Sequence, residues 1–269
     1  MTHADPTLPP VRTLPASAPL QWLALGWHDL RRAPWLSLAH GLAFVLGGIV
    51  ITAIAGNRFW LLAGAFSGFL LVAPVLATGL YAISRALEQG QTVTFSLILG
   101  TWLNWHKGRL HAWDAQYWSM VRFGIGLALA ATGWVLTSAA LITLASPVPI
   151  HTPSDFVQHV VLAQQGWLFE LWLAVGGMMA APVFASTAVT MQLLLDRRMT
   201  VFQAVVTSWQ AVLDNPQTLA LWAALIMVLT LVGFATALLG LVVVVPLLGH
   251  ASWHAYRALV DASQWPARD

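Results

Sequence analysis

The stretch APWLSLAHGLAFVLGGIVITAIAGN, residues 33–57, is followed by Arg58 and then by FWLLAGAFSGFLLVAPVLATGLYAIS, residues 59–84. Neither stretch contains Asp, Glu, Lys or Arg. A helix needs about 20 mainly apolar residues to cross the hydrocarbon core of a bilayer, so each stretch is long enough for one crossing. The Gly-Asn pair before Arg58 suits a tight turn, because both residues tolerate positive φ. The sequence therefore predicts a hairpin of two membrane-spanning helices, at 34–55 and 59–86.

The whole chain has the same apolar character. Of all 269 residues, 58% are hydrophobic and only 8% are charged, whereas soluble domains carry about a quarter charged residues. A chain with so little charge cannot cover a water-facing surface. Further apolar stretches predict four more spans, at 118–145, 167–195, 216–234 and 237–258; the last two come from one long uncharged stretch divided near residues 233–237. We therefore expect an all-α fold, a polytopic transmembrane helical bundle of six spans.

The basic residues predict how this bundle is oriented. Eleven of the twelve Lys and Arg residues would lie on one side of the predicted spans, and Arg58 alone on the other. The positive-inside rule makes the basic side cytoplasmic, which places both termini in the cytoplasm. The predicted organisation is a flexible cytoplasmic tail at 1–18, a six-helix domain at 19–262 and a second cytoplasmic tail at 263–269.

Several classes of function are disfavoured by what the sequence lacks. The net charge of +2 gives no basis for nucleic-acid binding, and the absence of cysteine excludes disulfides and thiolate metal sites. There is no GxxxxGK[ST] phosphate-binding loop. No Asp or Glu lies deep in a predicted span, which argues against an intramembrane aspartyl protease and a carboxylate-coupled transporter. The sequence therefore does not favour an enzyme.

A weak internal repeat relates the predicted hairpins. Residues 74–87 align without a gap to residues 246–259, so that Pro74 meets Pro246, Arg85 meets Arg257, and Tyr81 meets Trp253. A third proline, Pro182, has a comparable place in the fourth span. The pattern predicts three repeated hairpins with a proline in each returning helix, where it either kinks the packing or forms a cavity or hinge. Arg85 and Arg257 are expected to be interfacial anchors.

Each predicted hairpin is preceded by an amphipathic stretch, at 20–32, 93–106 and 200–213. Apolar residues recur on one face of these stretches at helical spacing. Such segments either lie in the plane of the membrane interface or extend the neighbouring spans into the cytoplasm. The sequence leaves both alternatives open.

The candidate polar site consists of histidines and tyrosines in the predicted spans. His250 and His254 are four residues apart and share one face of the last span, while His40 lies at a similar depth in the first; Tyr81 and Tyr256 complete the set. Three alternatives are open for the histidines: hydrogen bonding between helices, binding of haem or copper through His250 and His254, or handling of protons or substrate.

The runs at residues 22–41, 67–85 and 246–257 resemble a bacterial family of predicted integral membrane proteins of unknown function. Its members sometimes carry the mistaken label cytochrome c oxidase subunit I, a protein with more spans and more metal-ligand histidines than this chain has. The resemblance implies an inner-membrane location and supplies no activity. The function expected is that of a non-enzymatic scaffold, assembly factor or permease-like partner; the alternatives are a haem- or copper-binding membrane protein and a small-molecule transporter. Expected partners are the lipid bilayer and either other membrane proteins or further copies of the chain.

Overall fold

The structure is a computed structural model that describes residues 8–55, 59–103, 119–163 and 166–268. The predicted turn at 56–58 and the end of the predicted stretch 93–106 lie outside these residues. The helices are α1 (Ala18–Arg32), α2 (Pro34–Ala55), α3 (Phe59–Leu76), α4 (Thr78–Glu88), α5 (Phe95–Leu103), α6 (Ser119–Ala145), α7 (Pro153–Phe156, continued by a π-helical turn at Val157–Val161), α8 (Leu168–Thr187), α9 (Thr190–Asp196), α10 (Val201–Asp214), α11 (Pro216–Ala235) and α12 (Leu241–Leu259).

This element order confirms the predicted all-α class. Within the described residues, four segments are long and apolar enough to cross a membrane: Pro34–Ile54, Met120–Ala145, Leu168–Asp196 and Pro216–Ala235. Large apolar side chains are left exposed on these segments, as at Ile54 (77%), Leu144 (84%) and Met178 (76%). Such exposure is costly in water and natural in lipid. Six spans would additionally require α3 and α12 to cross, which stays a prediction.

Two of the predicted spans are interrupted helices, which corrects the continuous helices expected at 59–86 and 167–195. The first divides at Ala77 into α3 and α4, three residues after Pro74. The second divides between α8 and α9, where the Ser208 hydroxyl donates to the Ala185 carbonyl (2.6 Å) and accepts from the Val189 N–H (3.2 Å). In a continuous helix that N–H would bond to that carbonyl directly. A side chain of α10 inserted into the ladder therefore accompanies this interruption.

The chain forms two compact units. Unit 1 comprises Met1–Val45, Pro74–Phe123 and Ala185–Asp269, and unit 2 comprises Leu46–Ala73 and Gly124–Phe184. In unit 1 the buried centre is built by α4, α9 and α12. These three helices supply several side chains that are fully buried: Leu80, Ile83, Leu193, Leu194, Tyr256 and Leu259 are each 0% exposed.

Glycines bring α1 and α2 close to α12. A Cβ on Gly26 would lie 2.7 Å from the Ala251 nitrogen, and a Cβ on Gly41 would overlap the Val242 backbone. Backbones approach this closely only where one residue has no side chain. Residue numbers increase together along the contacts of α1 with α12: Gly26 contacts Ala251, and Asp29 bonds to His254. The α1 helix is therefore parallel to α12 along this stretch.

Residues 10–14, part of the predicted flexible tail, are hydrogen-bonded in unit 1. The Arg12 N–H donates to the Leu259 carbonyl (2.8 Å). The Leu14 N–H donates to Asn215 Oδ1 (2.8 Å), and the Thr218 hydroxyl donates to the Leu14 carbonyl (3.1 Å). Val11 also forms an antiparallel bridge with Val260. These bonds hold the segment against the end of α12 and the start of α11.

Unit 2 has an apolar cluster of its own. Ile142, Ile150, Val160 and Leu168 are buried together. The Trp172 indole donates to the Ser138 hydroxyl (2.9 Å), which satisfies its N–H inside the packed region.

Candidate functional site

Five side chains from four helices of unit 1 form a continuous hydrogen-bonded chain, called here the Ser37–His254 chain. Nε2 of His250 lies 2.8 Å from the Ser37 hydroxyl and Nδ1 lies 2.8 Å from the Ser84 hydroxyl. The Ser84 hydroxyl donates to Asp29 Oδ2 (2.8 Å), and Nε2 of His254 lies 2.8 Å from the same oxygen. The chain thus joins α2, α12, α4 and α1.

The interior position of this chain follows from the helix faces. Asp29 is 4% exposed, Ser84 1%, and Ser37 and His250 are 0% exposed. Asp29 belongs to the buried face of α1, at helical spacing after Trp22 and Gly26. A carboxylate in this setting needs hydrogen-bond donors, because burying it unpaired is costly.

The number of available protons determines which group donates and which accepts in each hydrogen bond of the Ser37–His254 chain. The Ser84 proton is donated to Asp29, so Ser84 must accept from His250, which places a proton on Nδ1. The Ser37 hydroxyl also lies 2.7 Å from the Ala33 carbonyl. With His250 neutral, that carbonyl and Nε2 compete for the single Ser37 proton. With His250 doubly protonated, Nε2–H donates to Ser37 and Ser37 donates to Ala33. Protonation of His250 therefore sets the direction of the Ser37 hydroxyl.

Asp29 carries the negative charge of this chain. Burial acts to raise the pKa of Asp29, but hydrogen bonds from His254 and Ser84, together with the charges of His254 and His250, hold that pKa below its ordinary value. The carboxylate is therefore the ionised form at neutral pH.

The structure brings together only some of the residues of the predicted polar site. His250 and His254 join one chain, but through Ser84 and Asp29 and not through a shared ligand. His40 does not join this hydrogen-bonded chain: its Nδ1–H donates to the Leu36 carbonyl (2.8 Å), and a Cβ on Gly79 would overlap its Nε2. The sequence suggested that His40 of α2 would lie beside His250. Within the described residues, the side chain of α2 that bonds to His250 is Ser37.

Tyr256, Arg85 and Arg257 belong to a second polar centre, around Asp196. The Tyr256 hydroxyl donates to Asp196 Oδ2 (2.7 Å), and Arg85 Nε donates to Oδ1 (3.0 Å). Asp196 is 5% exposed, so this ion pair is largely shielded from solvent. The two polar centres lie in the same unit and share α4 and α12.

Glu88 connects Arg257 to the indole of Trp253. Arg257 Nε donates to Glu88 Oε1 (2.9 Å), and Trp253 Nε1 donates to Oε2 (2.9 Å). Arg85 likewise donates to Asp196 and to the Arg268 carbonyl (2.6 Å). Both arginines thus bind groups of the protein, and their role as lipid anchors stays a prediction. The remaining predicted tyrosine, Tyr81, is 3% exposed in α4.

Sequence reasoning missed the carboxylates of both centres and the two serine hydroxyls of the Ser37–His254 chain. Asp29 precedes Arg31 and Arg32 and resembles a solvated cytoplasmic residue, yet its spacing of three from Gly26 and seven from Trp22 places it on the inward face. Ser37 and Ser84 carry no comparable signal, because serines are common in membrane helices.

Residues 61–196 match the family model described as predicted integral membrane protein, DUF2189. This match covers half of the chain. The chain belongs to the DUF2189 family. The resemblance stated from the sequence is thereby confirmed, and with it the assignment as an integral membrane protein of unknown function. The DUF2189 match runs from α3 to the end of α9, so it includes Ser84, Arg85 and Asp196 and leaves out Asp29 and His250. No curated protein and no solved structure matches the chain.

Proposed function

We propose that this chain is a non-enzymatic protein of the bacterial inner membrane that acts as a scaffold, assembly factor or permease-like partner for other membrane proteins. One observation carries the proposal: the buried side chains of the two polar centres in unit 1 form hydrogen bonds with one another. Both ring nitrogens of His250 and the carboxylates of Asp29 and Asp196 bond to side chains of neighbouring helices. A satisfied network of this kind holds helices in one arrangement.

The proposed topology is six spans in three repeated hairpins, with both termini in the cytoplasm. The bridge between Val11 and Val260 and the ion pair of Arg12 with Asp261 (2.9 Å) put these two segments side by side. An even number of crossings between them is thereby supported. All the arginines that the structure describes belong to unit 1: Arg12, Arg31, Arg32, Arg85, Arg122, Arg197, Arg198, Arg257 and Arg268. By the positive-inside rule, this supports a cytoplasmic location for the ends of the unit 1 helices that carry these arginines.

Cross-linking in intact membranes tests the scaffold. Tagged full-length chain is cross-linked in its native membrane, purified and analysed by quantitative mass spectrometry. We expect at least one other membrane protein in a constant ratio to the chain across independent detergents. Recovery of lipid alone, with no protein at constant ratio, would contradict the proposal.

A second candidate is a proton-coupled small-molecule transporter, which the Ser37–His254 chain specifically favours. Its histidines and carboxylate are linked through hydroxyls, and such relays carry protons in membrane transporters. Proteoliposomes loaded with a pH-sensitive dye and given a pH gradient separate this candidate from the scaffold. Proton movement that His250→Ala abolishes would establish the transporter and overturn the scaffold. A flux equal to that of protein-free vesicles would eliminate the transporter.

The third candidate, a haem or copper site, fits the arrangement poorly. Both nitrogens of His250 bond to serine hydroxyls, and Nε2 of His254 bonds to Asp29. Within the described residues there is no group of three or more His, Cys, Asp or Glu side chains placed to hold a metal ion. A metal at His250 would require one of these hydrogen bonds to break.

A further inference from the structure

The α1 helix packs beside the start of α11 and the C-terminal half of α12. Near its start, Trp22 packs edge-on against Trp222 of α11, with ring centroids 5.6 Å apart. Further along, Gly26 contacts Ala251 and Asp29 bonds to His254 in the C-terminal half of α12. Because α11 and α12 run in opposite directions, the beginning of the first and the end of the second form the same end of the hairpin.

The length and ends of α1 show that it is a separate element. Its 15 residues are about 22 Å long at 1.5 Å per residue, which is too short for the roughly 30 Å hydrocarbon core. Ala33, between α1 and α2, has φ −130° and ψ 57°, outside the helical region. The helix is therefore neither a span nor a straight continuation of α2.

The face of α1 that points away from the protein combines large apolar and cationic side chains. Leu20 is 57% exposed and Trp27 is 43% exposed, and Arg31 is exposed four residues later. The intervals of seven and four residues place these three side chains on one face. Arg32, also exposed, flanks them.

No carboxylate of the described residues lies within ion-pair distance of Arg31 or Arg32. The one acidic residue of α1, Asp29, is buried on the opposite face. Exposed Leu20 and Trp27 are unfavourable in water, while the two guanidinium groups are unfavourable in hydrocarbon. The headgroup layer of a bilayer suits both kinds of side chain.

We propose that the exposed face of α1 contacts lipid at the membrane surface and that Arg31 and Arg32 bind the phosphate oxygens of anionic phospholipids. Leu20 and Trp27 then face the acyl chains, and the guanidinium groups meet the phosphates, with which arginine forms paired hydrogen bonds. This surface is independent of the proposed scaffold role, because it involves neither polar centre.

Lipid titration of the full-length chain in detergent tests the proposal. Phosphatidylglycerol and phosphatidylcholine are added separately, and retained lipid is measured by native mass spectrometry. A basic residue near an anionic membrane surface contributes about 1 kcal/mol, so Arg31→Gln with Arg32→Gln should weaken phosphatidylglycerol binding roughly 10- to 30-fold. Phosphatidylcholine retention should stay unchanged, and the corresponding double lysine variant should keep most of the affinity.

Arg122→Gln is the matched control, since Arg122 is an exposed arginine of unit 1 on a different helix. Its substitution should change phosphatidylglycerol binding less than twofold. Equal losses in the control and the double variant would mean unspecific attraction by surface charge and would overturn the site. Displacement of the lipid by millimolar inorganic phosphate would mean a small-anion site and would overturn the lipid assignment.

Depth measurements test the placement of the helix independently. Because the chain has no cysteine, a single nitroxide label can be attached at Leu20→Cys, and another at the exposed Ser263→Cys as an aqueous reference. In vesicles containing phosphatidylglycerol, the label at position 20 should collide more with oxygen and less with a water-soluble nickel complex than the reference does. Equal accessibility at the two positions would place α1 in water and contradict the proposal.

Discussion

At the scale of single residues, His250 is the most constrained polar group of the candidate site. It is 0% exposed, and each ring nitrogen lies 2.8 Å from a serine hydroxyl. Its removal would leave Ser37 and Ser84 without a shared partner in a packed interior. The cost therefore includes lost hydrogen bonds as well as a cavity.

We expect His250→Ala to lower the free energy of unfolding by about 2–4 kcal/mol. His28→Ala is the control, because His28 is an exposed histidine on α1, and it should change stability by less than about 0.5 kcal/mol. Denaturant unfolding in detergent micelles, followed by circular dichroism, measures both. Equal effects of the two substitutions would show that the Ser37–His254 chain contributes nothing to stability.

The Asp29 carboxylate makes part of the stability depend on pH. Its pKa in the folded protein lies below the ordinary value of 3.8. Its contribution is therefore complete above about pH 4 and is lost as the pH falls through the folded pKa. Asp29→Asn should cost about 2 kcal/mol at pH 7, and its difference from the wild type should shrink below pH 4. Unfolding midpoints between pH 7 and pH 3 provide the test. A difference that does not vary with pH would contradict the assigned role of Asp29.

At the scale of elements, close helix contacts through glycine organise unit 1. Gly26 allows α1 to approach the α12 backbone, where an added Cβ would lie 2.7 Å from the Ala251 nitrogen and 2.9 Å from the Leu247 carbonyl oxygen. Backbone atoms cannot move aside as a flexible side chain does. Any larger residue at this position must push α1 away from α12 and strain the bond from Asp29 to His254.

Gly26→Ala should therefore destabilise the protein by about 1–3 kcal/mol, in spite of the higher helix propensity of alanine. Gly126→Ala in α6 is the matched control. A Cβ there meets no atom within 4 Å, so the substitution should be neutral or stabilise by up to about 1 kcal/mol. Thermal unfolding of both variants measures the contrast. If Gly26→Ala were as stable as the control, the close packing of α1 on α12 would be wrong.

At the scale of the whole molecule, segments far apart in sequence meet in unit 1. Val11 pairs with Val260, and Arg12 forms an ion pair with Asp261. Residues paired in an antiparallel bridge are close enough for a disulfide. This proximity is expected from the proposed topology, in which the two segments lie on the same side of the membrane.

Val11→Cys with Val260→Cys should therefore form an intramolecular disulfide under mild oxidation. Val243 is a suitable control partner, because it is exposed near the opposite end of α12. Val11→Cys with Val243→Cys should stay reduced. Mass spectrometry of tryptic peptides under non-reducing conditions detects the link. Absence of the 11–260 link together with formation of the 11–243 link would contradict the arrangement of unit 1.

The sequence by itself determined the all-α class and the membrane environment. Several uncharged stretches of span length in a chain with 8% charged residues favour burial in lipid, where helices satisfy their own backbone groups. Helical periodicity also indicated the amphipathic helices α1 and α10, because it is a local property of the sequence.

The tertiary structure decided the connections between these elements. The interruption between α8 and α9 involves Ser208, and the partners of His250 are Ser37 and Ser84. These residues come from different helices, so no local pattern in the sequence predicts that they form hydrogen bonds with one another. Asp29 looks like a solvated residue beside two arginines until α1 is packed against α12. The chemistry of the candidate site is thus set by helix packing, because a hydrogen bond depends on distances that only the folded chain defines.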